Sequence, residues 1–172
     1  MTPRGAPALL LVLALALLGL LPPRPAAAQQ EGAVPEAYAA SFAARFAAPP
    51  SWSFPNPRLR AAYAALQAWK RTAIFSDPSN FTANWSGPNV CAYSGVFCAP
   101  LPGAAGGYGH GDLVVAGIDL NHADIAGYLP ASLPLGVPDL ALFHINSNRF
   151  CGVVPDTFRH LRLLHELDLS NN

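Results

Sequence analysis

Val115–Asn172 reads VAGIDLNHADIAGYLPASLPLGVPDLALFHINSNRFCGVVPDTFRHLRLLHELDLSNN, and one pattern occurs in it three times. Ile118-Asp-Leu120 with Gly127-Tyr-Leu129-Pro130 returns as Phe143-His-Ile145 with Gly152-Val-Val154-Pro155, at an offset of 25. It opens again as Leu167-Asp-Leu169-Ser-Asn-Asn172, at an offset of 24. A fixed period in this range predicts a solenoid, in which each unit buries its apolar face only by stacking on its neighbours. The alternating apolar pair of each unit is expected to point one side of a short strand inward while the residue between points out. Asn148 and Asn172 fall where a side-chain amide can satisfy turn backbone groups, and Gly127 and Gly152 where a tight turn before proline is expected. The first unit departs from the pattern, with Ala123 at the asparagine position.

The N-terminus reads as a secretion signal over residues 1–28: Arg4, a thirteen-residue apolar run Leu9–Leu21, and Ala26-Ala27-Ala28 before Gln29. That run is shorter than the about 20 residues needed to cross a bilayer. No later stretch approaches it, so no membrane span is predicted. Without the signal 144 of the 172 residues remain, enough for one domain. Arg4 and Arg24 leave with it, so eight basic residues face ten acidic ones. A slightly acidic chain is not a nucleic-acid binder.

Cys91 and Cys98 frame C-A-Y-S-G-V-F-C, a spacing that in a secreted chain favours a local disulfide over a metal site, which would show C-x2-C and further ligands. Cys151 is then unpaired. It reads either as a buried thiol beside Gly152 or as one half of a bridge to another cysteine, in a further segment or in a second molecule, which leaves a dimer open. Asn80-Phe-Thr82 and Asn84-Trp-Ser86 are glycosylation sequons, in keeping with the secretory route. Only four residues separate them, so two glycans would crowd each other.

Residues 29–55 form an Ala/Pro-rich leader with a helix expected over Glu36–Phe46. A second helix starts with Asn56 as cap and Pro57 in the first turn; Leu59, Ala62, Tyr63, Leu66, Trp69 and Ala73 make its apolar stripe, and Ser76-Asp77-Pro78 is expected to end it. Residues 99–112 carry five glycines but lack the lysine or acidic partner of a phosphate loop, and read as a flexible insertion.

The helix, the N-W segment and C-A-Y-S-G-V-F-C resemble the N-terminal cap of plant leucine-rich repeat proteins, and the units resemble extracellular plant leucine-rich repeats. The run AWKRTAIFSDPSNFTANWSGPNVCAYSGVFCAP, with VAGIDLNHADIAGYLP and FHINSNRFCG, is similar to the leucine-rich repeat extensins and their pollen-type relatives. The expected fold is therefore an α/β leucine-rich repeat solenoid start: a helical, disulfide-closed cap over residues 56–98, and about two and a half repeats over 113–172. The resemblance implies a secreted, non-catalytic cell-wall protein. In that family the repeats bind basic, cysteine-rich rapid alkalinization factor peptides, and an extensin tail anchors the protein to wall polymers, linking wall state to cell growth. Full-length members continue through further repeats to that tail. The alternatives are a polygalacturonase-inhibitor-like defence protein and a receptor-kinase ectodomain.

Stacking the units by their offsets puts Gly117, Leu142 and Glu166 in one outward column, Asp119, His144 and Asp168 in the next, and Asn121, Asn146 and Ser170 in a third. These columns form the concave face that solenoids offer to partners. From Val115 onward six acids face three arginines, which favours a basic peptide through complementary fields. Asp119, His144, Glu166 and Asp168 are the candidate peptide-binding residues; each is equally a solvated strand residue. An Asp-His-Asp column beside Ser170 suggests catalysis, but a nucleophile needs its base within about 3 Å, whereas strands lie about 4.8 Å apart. His160 and His165 are five apart with no completing ligand. No enzyme activity, cofactor or metal is expected.

Overall fold

The computed structural model describes residues 36–101 and 112–172. The secretion signal, the start of the leader and the glycine-rich stretch 102–111 lie outside the described residues.

Helix α1 covers Glu36–Ala44, two residues short of the expected end. Its last turn tightens instead, with the N–H groups of Arg45 and Phe46 reaching Phe42 and Ala43, three residues back. Glu36 pairs with Arg159 and, at 2.9 Å, with His160, so this part of the leader is docked on the second repeat.

Helix α2, Pro57–Thr72, begins as its sequence directs: Asn56 is extended and its Oδ1 accepts the Leu59 N–H at 2.9 Å. The same amide donates to the Leu113 carbonyl at 2.8 Å, tying the cap to the first repeat strand. All six residues of the expected stripe are buried. Ala65 and Ala68 are buried too, Ala65 against Gly136 of the short helix α3 (Ser132–Gly136), and Gln67 is buried where its amide donates to the Trp85 carbonyl at 3.0 Å. The helix stops at Thr72, earlier than Ser76-Asp77-Pro78 suggested. Residues Ile74–Ser76 form strand β1. The reason is tertiary: the Ala73 carbonyl accepts the Tyr128 N–H at 2.9 Å, so sheet pairing captures a backbone that could have continued the helix.

Two sheets flank the core. The concave sheet has the order β2 (Val96–Pro100), β3 (Leu113–Asp119), β5 (Leu142–His144), β7 (Glu166–Asp168). Strand β2 runs antiparallel to β3, and the others are parallel in the predicted register, Ile118↔Phe143↔Leu167. Strand β2 takes in Ala99 and Pro100, which the sequence reading gave to the loop. The second sheet, which the sequence reading did not anticipate, has the order β1, β4 (Ala126–Tyr128), β6 (Arg149–Cys151).

Gly127 is accordingly not a turn residue. It lies in β4, where an added Cβ would sit 2.3 Å from the Ala73 carbonyl oxygen, so its job is close approach. Gly152 does turn the chain, at φ +86°. Between the sheets Trp69 is fully buried, its ring within 6.0 Å of those of Trp85, Phe143 and Phe150. One side chain thus joins helix, cap and both sheets.

The asparagine reading holds in detail. Asn148 Oδ1 accepts the Ile125 N–H at 2.9 Å, and Nδ2 donates to the carbonyls of Leu120 and Ile145 at 2.7 and 2.9 Å. Asn172 repeats this one unit on, with Phe150 and Ile145 as its cross-repeat partners.

Candidate functional site

The concave sheet presents the three expected columns in the expected register: Gly117↔Leu142↔Glu166 and Asp119↔His144↔Asp168 are aligned pairs. In the third column Asn121 Oδ1 accepts the Asn146 N–H at 2.7 Å, and the Asn146 amide donates to Ser170 Oγ.

Each aspartate of the middle column already has a structural task. Asp119 Oδ1 accepts the Asn121 N–H at 2.9 Å, and Asp168 Oδ1 accepts the Ser170 N–H at 3.0 Å, closing a two-residue turn at the end of each strand. The Ser170 hydroxyl adds a bond to Asp168 at 2.6 Å. The hydroxyl first, and the N–H after it, hold the Asp168 carboxyl below the usual carboxylate range, with Asn146 and His144 assisting against slight desolvation. Among the described residues the second oxygen of each aspartate accepts no hydrogen bond, so a charged face remains beyond the turn.

His144 lies 3.4 Å from Glu166 through its Nε2, across adjacent strands. Glu166 is also 3.7 Å from His165. Since the Ser170 hydroxyl serves Asp168, serine and histidine are not paired, and the column is arranged as a charged surface. His160 is engaged with Glu36 rather than with His165. Among the described residues no cluster of histidine, cysteine or carboxylate side chains is placed to hold a metal.

One residue of this face was missed from sequence. Phe97 in β2 pairs with Gly117 and is 57% exposed, beside the acidic columns. A Cβ on Gly117 would sit 3.5 Å from Phe97 and 3.7 Å from Leu142, so both apolar side chains border the space above the glycine. The signal was the alternation Val96-Phe97-Cys98, hidden by reading the segment only as a disulfide loop.

The cap is closed by the Cys91–Cys98 disulfide. Cys151 is exposed on β6, which rules out its reading as a buried thiol. Asn80 and Asn84 are both exposed; Asn80 has φ +52°, whereas the Asn84 side chain bridges Ala92 O and Ser94 N–H at 3.0 Å each. No helix among the described residues is long and apolar enough to cross a membrane.

Comparison with known proteins agrees with this architecture. The family described as "Leucine rich repeat N-terminal domain" matches residues 62–99. The chain is 66% identical over 119 residues to leucine-rich repeat extensin-like protein 2 of Arabidopsis thaliana, covering 69% of this chain and 14% of that protein. It is 65% identical over 117 residues to leucine-rich repeat extensin-like protein 1, covering 68% and 15%. To pollen-specific leucine-rich repeat extensin-like protein 2 it is 60% identical over 102 residues, covering 59% and 11%. The chain thus spans about a seventh or less of the length of these relatives. Among solved structures, the ectodomain of the Arabidopsis receptor kinase HAESA, in complex with an IDA peptide hormone ligand, superposes with a TM-score of 0.51 at 25% identity, covering 68% of this chain and 18% of that one. The BIR2 ectodomain from Arabidopsis thaliana gives 0.52 at 26%, covering 64% and 55%. PEPR1–AtPEP1 gives 0.54 at 20%, covering 65% and 14%, and shares the fold.

Proposed function

We propose, on the premise that the cap and repeats of this chain are of the leucine-rich repeat extensin-like kind, that it is a non-catalytic extracellular recognition module of the plant cell wall. Its ligands are secreted, basic, cysteine-rich peptides of the rapid alkalinization type, and its role is in the control of wall formation and cell growth. The observation that carries this reading is the in-register column Asp119, His144, Asp168, with Glu166 beside it and the exposed Phe97 and half-buried Leu142 in the next column. A field of carboxylates bordering an apolar spot suits a cationic peptide with a hydrophobic anchor. The HAESA ectodomain, a peptide-hormone complex in the same fold, supports peptides as the ligand class.

The test separates charge from turn closure. Asp119→Asn and Asp168→Asn keep an acceptor oxygen for Asn121 and Ser170 but remove the charge. Together they should slow association with a basic cysteine-rich peptide roughly tenfold at low salt, less so at physiological salt, with Tm nearly unchanged. Asp156→Asn, on the convex 3-10 turn Asp156–His160, should leave the rate as it is. Wild-type association rates for the double variant at low ionic strength would remove the concave face from the proposal.

A further inference from the structure

We infer that Asn80 carries an N-linked glycan whose first N-acetylglucosamine packs against Phe75, while Asn84 stays bare. Phe75 is 64% exposed and Tyr128 38%, and their ring centroids are 5.7 Å apart on the outer face of the second sheet. Together they form a small apolar patch that a covering group would take out of water. Asn80 borders the Phe75 side of this pair: it lines a hollow of about 300 Å³ together with Ile74, Phe75, Ser76 and Ala83, while Tyr128 lies outside that lining. Phe75 therefore offers its ring to the apolar face of a sugar in this hollow, with polar groups alongside for the sugar hydroxyls.

The loop is built to hold the sequon in this position. Asp77 accepts the N–H groups of Phe81 and Thr82 and the Thr82 hydroxyl, each at 2.8 Å. Thr82 is 3% exposed, so its hydroxyl is inaccessible once the loop has closed. Transfer must then precede folding: Asn80 Nδ2 forms a bond to the anomeric carbon of a lipid-pyrophosphate-linked oligosaccharide, the C1–O bond breaks, Nδ2 loses one proton, and the lipid pyrophosphate leaves. Asn84 is in a different situation. Its Nδ2 donates one hydrogen to the Ala92 carbonyl and its Oδ1 accepts the Ser94 N–H across the loop that Cys91–Cys98 closes, so a sugar in place of the other Nδ2 hydrogen would crowd that closed loop. Because transfer precedes folding, a chain glycosylated at Asn84 is one whose cap closes less readily and is not the form secreted, whereas a glycan at Asn80 covers an apolar side chain.

The full chain is secreted from plant cells and its glycopeptides are mapped by mass spectrometry, followed by melting before and after enzymatic deglycosylation. We expect occupancy at Asn80 and not at Asn84, and a fall in Tm of about 2–4 °C on removing the glycan. In Phe75→Ser, an exposed position that does not threaten folding, occupancy should persist while the fall disappears. Nuclear Overhauser contacts between the N-acetyl methyl and the Phe75 ring supply an independent reading. A secreted chain bare at Asn80, or one occupied at Asn84, overturns the inference alone. A chain retained unglycosylated in the cytosol overturns it together with the secretory reading. Equal Tm changes in wild type and Phe75→Ser, without the contacts, would remove the packing.

Discussion

Asp77 organises the loop that leaves strand β1, accepting three hydrogen bonds from Phe81 and Thr82. Partial burial pushes its carboxyl up, but the Thr82 N–H and hydroxyl, the Phe81 N–H and the nearby Lys70 outweigh this and bring it below the usual range. A depressed carboxylate contributes stability above its unfolded value of about 4 and loses it as pH falls through the folded value. Asp77→Ala should therefore cost about 1–2 kcal/mol at neutral pH. Its Tm deficit against wild type should shrink as both are melted at pH values falling below about 4. A deficit constant with pH would show that the ionised form of Asp77 adds nothing. The sequence showed Asp77 only as part of a helix stop; its partners lie four and five residues on, at donors that become unpaired only because the loop turns there.

Among the elements, the asparagine ladder decides how one repeat is locked to the next. Asn148 is 8% exposed and serves Ile125 N–H and two carbonyls of adjacent turns. Asn148→Ala would leave these buried backbone groups unpaired. The expected cost is about 2–4 kcal/mol in denaturant melts, with the slope of the transition unchanged. A loss under about 0.5 kcal/mol would mean water replaces the amide. The role of this asparagine was legible, since a polar side chain recurred at a fixed place in an apolar period. The left-handed residue before it was not. His122, Ser147 and Asn171 all have φ near +55°, and only the asparagine advertises it. The second sheet was equally hidden, since Ile74-Phe75-Ser76 is too short to carry a strand period and its pairing partner lies more than fifty residues away.

For the whole molecule, Trp69 is where cap and repeats become one cooperative body. It touches the rings of Trp85, Phe143 and Phe150, and its Nε1 donates to the Tyr128 carbonyl at 3.1 Å. Trp69→Ala should cost about 3–5 kcal/mol and destabilise cap and repeats together, in a single transition. Calorimetry resolving two separate transitions would show that the cap folds by itself. The burial of the apolar strand positions also changes along the stack: Ile118 and Phe143 are fully buried, whereas Leu167 is 50% exposed. A solenoid layer is covered only by its neighbours.

Local chemistry was enough for the sequence alone to determine the repeat register, the α2 cap at Asn56, the cystine and the outward columns of the concave face, because each rests on periodicity, on a capping preference or on spacing along the chain. Tertiary structure alone decided where α2 ends, why Gly127 cannot carry a side chain, that Cys151 is exposed, and that Phe97 joins the acidic face. Each of these depends on which distant segment arrives alongside: Tyr128 at Ala73, β1 at β4, and β3 at β2. A pairing between remote strands that are not copies of one repeat leaves no mark in the order of residues on either one.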